Sequence, residues 1–255
     1  RDSRADLLKR NMKLLSLCCL VASSLALQLP SDFPKCKLGD PKMNECLMEA
    51  VFGGIRVMEK SMPEFQLESI QPITVPSMSI GGGTGAVQVV QRYKNFQIFN
   101  VAKGRTESVD SSITDREFKL SMVMHLEDVD IMSQYKLNGS VLLLPIFGEG
   151  EVKITMTNTK VPFELIGEVA EKKGTKYADI SSVKMDLNPA KVVFDFKNLF
   201  KGDPRLGPEM NNILNENWKE IFNDVKHGYN EALSAVAKNI ANQIFRKVPY
   251  DDLFL

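Results

Sequence analysis

Four cysteines, two histidines, a run of glycines and one Asn-Gly-Ser triplet are the places where side-chain type and spacing could support chemistry in this chain. His125 and His227 are candidates for a general base or a metal ligand. Neither lies at metal-binding spacing from other ligand types. His125 alternates onto the polar side of its segment beside Glu127 and Asp128, and His227 sits beside Gly228 on the polar side of a helical pattern, so both read as solvated positions. Gly81-Gly82-Gly83-Thr84-Gly85 could cradle a phosphate only if a helix followed it, and the pattern after it is that of a strand. It reads as a mobile connection. The chain has no G-x-S-x-G elbow, no H-E-x-x-H helix and no G-x-x-x-x-G-K-[ST] loop. These observations predict no catalytic site, no metal and no cofactor.

The cysteines carry a different chemistry. Met12-Lys13 followed by the apolar run from Leu14 to Leu27 reads as a secretory signal peptide behind an upstream stretch. Ser24 and Ala26 stand at the −3 and −1 positions of a cut, so residues 1–26 are expected to be removed and 27–255 to form one domain. Cys18 and Cys19 leave with the signal. Cys36 and Cys46 are then predicted to pair with each other across a turn containing Gly39, Asp40 and Pro41, the alternative being two free thiols. In an exported chain Asn138-Gly139-Ser140 is an N-glycosylation sequon.

The elements that must position these groups follow from hydrophobic period. With 44% apolar residues and 32 basic against 32 acidic side chains, the chain has an ordinary globular composition and no basic footprint for nucleic acid. No apolar run is long enough to insert stably in a membrane. Loss of residues 1–26 removes five basic and two acidic groups, leaving 27 − 30 = −3. Steps of three and four from Met43 to Met62 predict a helix stopped by Pro63. Period two then predicts half-buried antiparallel strands over 75–80, 87–93, 96–101, 118–126, 129–144, 149–157, 161–170, 177–187 and 191–196, with turn signals at Asn138-Gly139, Gly148 to Gly150 and Asn188-Pro189. Beyond Pro204 the helical period returns and holds from Met210 to Ile244, which predicts a helix of about 38 residues, roughly 57 Å long, interrupted at most at Gly228. The fold class is α+β, with a curved antiparallel sheet wrapped around the long helix.

Several ordered motifs agree with that architecture. Phe33-Pro34-Lys35-Cys36, Gly39-Asp40-Pro41, Asn44-Glu45-Cys46-Leu47, the run from Gly139 to Ile146 with Gly148 and Gly150, Asn198 to Asp203, Asn211 and Asn215 to Glu220 resemble the insect juvenile hormone binding protein and takeout family, nearer its takeout branch. The resemblance implies a TULIP-like half barrel enclosing a tunnel for an elongated hydrophobic molecule, in a secreted, extracellular protein. The sequence departs from the family in two places. Gly228 stands where the family commonly has proline, and the strand aligned with the pocket tyrosine of the hormone carriers reads Val152, Ile154, Met156. Tyr135 on a neighbouring strand is the available substitute.

Methionine is an adaptable filler of core and binding surface alike, and Met58, Met62, Met122, Met124, Met156 and Met185 fall in phase on apolar faces. Phase and family likeness together select the predicted tunnel lining. It comprises Val51, Ile55 and Met58 from the first helix, Met122, Met124, Ile131, Tyr135, Ile154, Met156, Phe163 and Leu165 from strands, and Trp218 and Phe222 from the long helix. Ser133 and Tyr135 are the predicted polar handles. The expected partner is an apolar small molecule such as a terpenoid or fatty acid derivative. The alternative is an interaction protein that keeps a structural lipid and presents a surface to a receptor.

Overall fold

The computed structural model describes residues 27–83 and 85–255. The expected signal peptide and its cut lie outside the described residues. Among those described, seven strands form one antiparallel sheet built on a single long hairpin. Its arms are β4 (Glu117–Val141, 25 residues) and β5 (Leu144–Lys172, 29 residues). They hold one register from Glu117 opposite Glu168 to Val141 opposite Leu144. The sequence pattern divides each arm in two because the inward phase changes at Glu127-Asp128, and Asn158 on β5 takes a left-handed φ of 48° at the same level. Pairing resumes unshifted beyond that point, so each predicted pair of strands is one strand.

The hairpin turns at Leu142-Leu143, where φ is 51° and 67°. Left-handed backbone at both central positions suits the twist of a two-residue hairpin, although a Cβ makes it costly for leucine. The Asn138-Gly139 signal makes no turn. Gly139 lies within β4 opposite Val89, and glycine is needed there because a Cβ would meet Gln88 O at 2.1 Å across the ladder. Gly148 and Gly150 likewise lie within β5.

Shorter strands flank the hairpin in two tiers. β1 (Ile73–Ile80) pairs with β2 (Val87–Phe99), and β2 pairs with β4 near the turn. Two predicted strands merge in β2, with a bulge between Lys94 and Gln97. β3 (Arg105–Ile113) pairs with β4 nearer the open end of the hairpin. β3 has no period-two signal, since residues 105–113 include few apolar side chains and the strand's place is set by pairing with β4. On the other side β6 (Thr175–Met185) and β7 (Lys191–Phe196) both pair with β5.

The helices close the concave face. α1 (Met43–Val57) packs over β3, ends earlier than its pattern predicts, and is followed by a 3₁₀ turn at Pro63–Phe65. The single long C-terminal helix is in fact two, α2 (Leu206–Glu216) and α3 (Trp218–Phe245). They part at Asn217 (φ −103°, ψ 20°), whose side-chain amide donates back to Ile213 O at 2.8 Å. Gly228 does not interrupt α3. It leaves room for Ile80 of β1, whose Cγ2 would lie 2.9 Å from a Cβ at that position.

Helical side chains satisfy the backbone at the sheet's edges. Asn211 accepts from Phe196 N and donates to Phe196 O, both at 2.9 Å. One helical turn on, Asn215 treats Phe194 in the same way at 2.7 and 2.9 Å. Asn242 does so for Ile180 of β6, at 2.9 Å for both bonds. On the far side of the sheet, Asp224 accepts from Gly85 N and Val87 N at 3.2 and 2.7 Å. Asn242→Leu or Asn215→Leu removes two such bonds and strands a strand N–H and C=O. Each is expected to lower unfolding free energy by about 2 kcal/mol in urea titration. Exposed Asn223→Leu is the control expected to change little.

Candidate functional site

A cavity of about 340 Å³ lies between the sheet and the helices, toward the open end of the hairpin. β4 contributes Phe118, Leu120, Met122, Met124 and Leu126 in one phase and Val129 and Ile131 in the other. β5 adds Met156, Val161, Phe163 and Leu165, and α1 adds residues from Leu47 to Met58. The C-terminal half of α3 supplies a stripe from Leu233 to Phe245. Leu29, Phe33 and Pro34 of the N-terminal segment meet Leu253 and Phe254 of the C-terminal tail at one end. Cys36 and Cys46 form a disulfide that ties this segment to α1, and Leu255 N donates to Cys36 O at 3.0 Å. The residues lining the cavity carry no hydroxyl, amide or charged side chain.

Of the side chains expected to line a tunnel, Val51, Ile55, Met58, Met122, Met124, Ile131, Met156, Phe163 and Leu165 are brought together on this wall. Ser133, Tyr135, Ile154, Trp218 and Phe222 are not on it. Phase along a strand or helix reports which face points inward, but not where along its length the interior stays open. Trp218 begins α3 half-buried, with Lys191 Nζ 5.5 Å from its ring centroid. Phe222 and Ile154 are packed in solid core. The expected polar handles are already engaged by backbone. Ser133 Oγ donates toward Lys94 O at 2.8 Å or Gln134 O at 2.9 Å. The Tyr135 hydroxyl donates to Lys197 O at 2.6 Å, and burial pushes its pKa up to about 12.

Of the six in-phase methionines, Met62 alone is absent from the wall; it bridges Leu67 near the 3₁₀ turn. The α3 residues Val236, Ala237, Ile240 and Ala241 are also on the wall, beyond the expected lining. Their signal was present, because the same helical stripe runs through both halves of α3.

A buried polar cluster sits in the solid part and was also missed. The hydroxyls of Tyr93 and Tyr229 lie 2.7 Å apart, and they reach Gln91 Oε1 at 2.7 and 2.9 Å. The visible sign was a glutamine in phase with Val89 and Tyr93 on an apolar strand face. Burial raises the pKa of both tyrosines, and for Tyr93 the charge Tyr229 would carry raises it further.

The histidines lie away from the cavity. His125 Nδ1 is 3.1 Å from Glu107 Oε1, and hydrogen bonding by Lys160 holds the Glu107 carboxyl below its usual range. His227 pairs with Glu231 at 3.2 Å on the exposed face of α3. Among the described residues there is no group of three or more metal-ligating side chains, and no helix is long and apolar enough to cross a membrane.

A helix lying in a curled antiparallel sheet, with a cavity between them lined only by apolar side chains, is the architecture of a binder of hydrophobic small molecules. Residues 14–255 match the family described as Haemolymph juvenile hormone binding protein, and the chain belongs to that family. It is 25% identical over 236 residues to "Circadian clock-controlled protein daywake" of Drosophila yakuba, with 88% of each chain covered. The protein of the same description from Drosophila melanogaster is 25% identical over 231 residues, again with 88% of each covered. The fold is shared with Epiphyas postvittana Takeout 1, at a TM-score of 0.75 and 19% identity over 87% of this chain and 99% of that one.

Alkaline pH tests the buried tyrosines. The folded state keeps protons that the unfolded chain releases near pH 10, so it binds more protons above that pH and stability falls as pH rises from there. Tyr229→Phe removes one such group. Its thermal midpoint is expected to be lower than wild type at pH 8 and to fall less steeply between pH 10 and 12.

Proposed function

We propose that this protein is a secreted carrier that takes up an elongated, electrically neutral hydrophobic molecule, such as a terpenoid ester or a fatty acid derivative. The observation that carries the reading is the cavity between sheet and helices with no polar side chain on its wall. Affinity there comes from burial. Removing about 300 Å² of ligand surface from water is worth roughly 7 kcal/mol before the losses of association, which supports binding without a charged anchor. Family membership and the disulfide, a bond typical of exported proteins, support the same reading. No candidate nucleophile and base face the cavity among the described residues, which favours carriage over chemistry.

The wall also predicts a preference within apolar ligands. A carboxylate buried against methionine, leucine and phenylalanine would lose its hydration with nothing to replace it. A long-chain methyl ester is therefore expected to bind at least about tenfold more tightly than its free acid at pH 8. The gap should narrow below about pH 4.5 as the acid becomes neutral.

The decisive experiment is organic extraction of the purified protein followed by mass spectrometry, with refilling from a lipid panel. A near one-to-one apolar species that exchanges supports a carrier. A species that never exchanges favours the structural-lipid alternative, and an empty protein that takes up nothing defeats both. Met156→Glu should abolish binding, since Met156 is buried on the wall. Ala237→Leu should fill space and weaken binding while leaving the thermal midpoint unchanged or raised. A collapsed midpoint in Ala237→Leu would mean that the wall is packed solid.

A further inference from the structure

The closed end of the long hairpin is apolar on the outside as well as the inside. Leu143, at the turn, is 91% exposed, and Phe147 and Val90 on the outward face are also exposed. Phe147 leans edge-on against Phe200 at 5.2 Å, so the patch continues onto the segment before α2. Contiguous exposed apolar surface of this kind normally has something to cover it.

The register identifies the cover. Asn138 is exposed on the outward face of β4, with Val90 of β2 directly opposite on one side and Phe147 of β5 directly opposite on the other. Asn138 thus stands between the two apolar side chains, three residue pairs below the leucine turn. It is also the acceptor position of the sequon Asn138-Gly139-Ser140. We infer that an N-linked glycan on Asn138 lies over Val90 and Phe147 and shields the hairpin end from self-association. This inference rests on the export proposed above.

The transfer step joins the Asn138 amide nitrogen to the anomeric carbon of an N-acetylglucosamine-headed oligosaccharide. The sugar's bond to its polyprenyl diphosphate carrier breaks and the diphosphate departs with the electron pair, while the amide nitrogen gives up one proton. Attachment occurs on the extended chain before folding. The folded structure decides only that the sugar is tolerated, because Asn138 faces outward while Tyr135 and Leu137 face inward. The cavity lies on the other face of the sheet, so the glycan and the apolar ligand do not compete.

The test is expression of the full chain in insect cells, with peptide mass analysis and light scattering of the product. The expected product is a monomeric glycoprotein modified at Asn138. Enzymatic removal of the glycan from the folded protein, or Asn138→Gln, should cause association and raise binding of a hydrophobic dye at least about twofold, with affinity for an apolar ester unchanged. Adding Val90→Thr and Phe147→Thr to Asn138→Gln should restore the monomer. Protein in the medium with Asn138 bare overturns the inference and leaves export standing. A chain retained unglycosylated in the cytosol overturns both. A glycoprotein that dimerises or binds phosphatidylcholine vesicles would assign the patch to a second copy or a membrane and overturn the cover. A deglycosylated protein that stays monomeric does the same.

Discussion

A sheet that curls around a helix without closing on itself leaves strand edges whose N–H and C=O groups must be paired, and this requirement governs the rest of the structure. A full barrel would satisfy them by strand pairing. Here the helices substitute for the missing strand. Asn211, Asn215 and Asn242 each present both amide functions to one strand residue, and Asp224 presents a carboxylate to two backbone donors across the sheet. Asn230 adds a fifth tie, accepting from Leu187 N at 3.1 Å. The spacing of four between Asn211 and Asn215 matches one helical turn, as alternate strand residues Phe194 and Phe196 require. The helix is thereby held in the mouth of the sheet by directional bonds, and apolar packing alone does not have to locate it.

That division of labour leaves the interior free to differ along its length. Near the hairpin turn, large aromatic groups and the Tyr93–Tyr229–Gln91 cluster fill the space, with polar atoms paired among themselves. Toward the open end the facing residues of α3 include Ala237 and Ala241, which leave room opposite Met122, Met124 and Met156. Small residues on the helix and adaptable methionines on the sheet produce an apolar void with no buried polar group to hydrate it. Such a space suits a hydrophobic guest. The N-terminal segment and C-terminal tail, tied to each other and through Cys36–Cys46 to α1, close one end without adding a polar wall residue.

The outer surface follows the same register logic. Alternation along this part of β4 places Asn138 outward and Tyr135 and Leu137 inward, so one strand carries both an exposed sequon asparagine and the packed core behind it. His125, Glu107 and Lys160 likewise form an outward network with no access to the cavity.

The sequence by itself determined what local pattern can determine. It identified which segments alternate and which follow helical period, the pairing of Cys36 with Cys46, the fold class and family, and the inward face that includes Met122, Met124, Met156 and Phe163. These are legible because period and residue chemistry are local, and because Cys36 and Cys46 flank a short turn containing Gly39, Asp40 and Pro41. Tertiary structure decided the rest. β3 forms because β4 offers it a ladder, since its own residues are too polar to announce a strand. The use of glycine at 228 within an unbroken helix answers to the close approach of Ile80 of β1, which is distant in sequence. On α3 the cavity is walled by Leu233–Phe245 and not by Trp218 and Phe222, because openness depends on how the volumes of facing side chains sum across space, and no single segment encodes that sum.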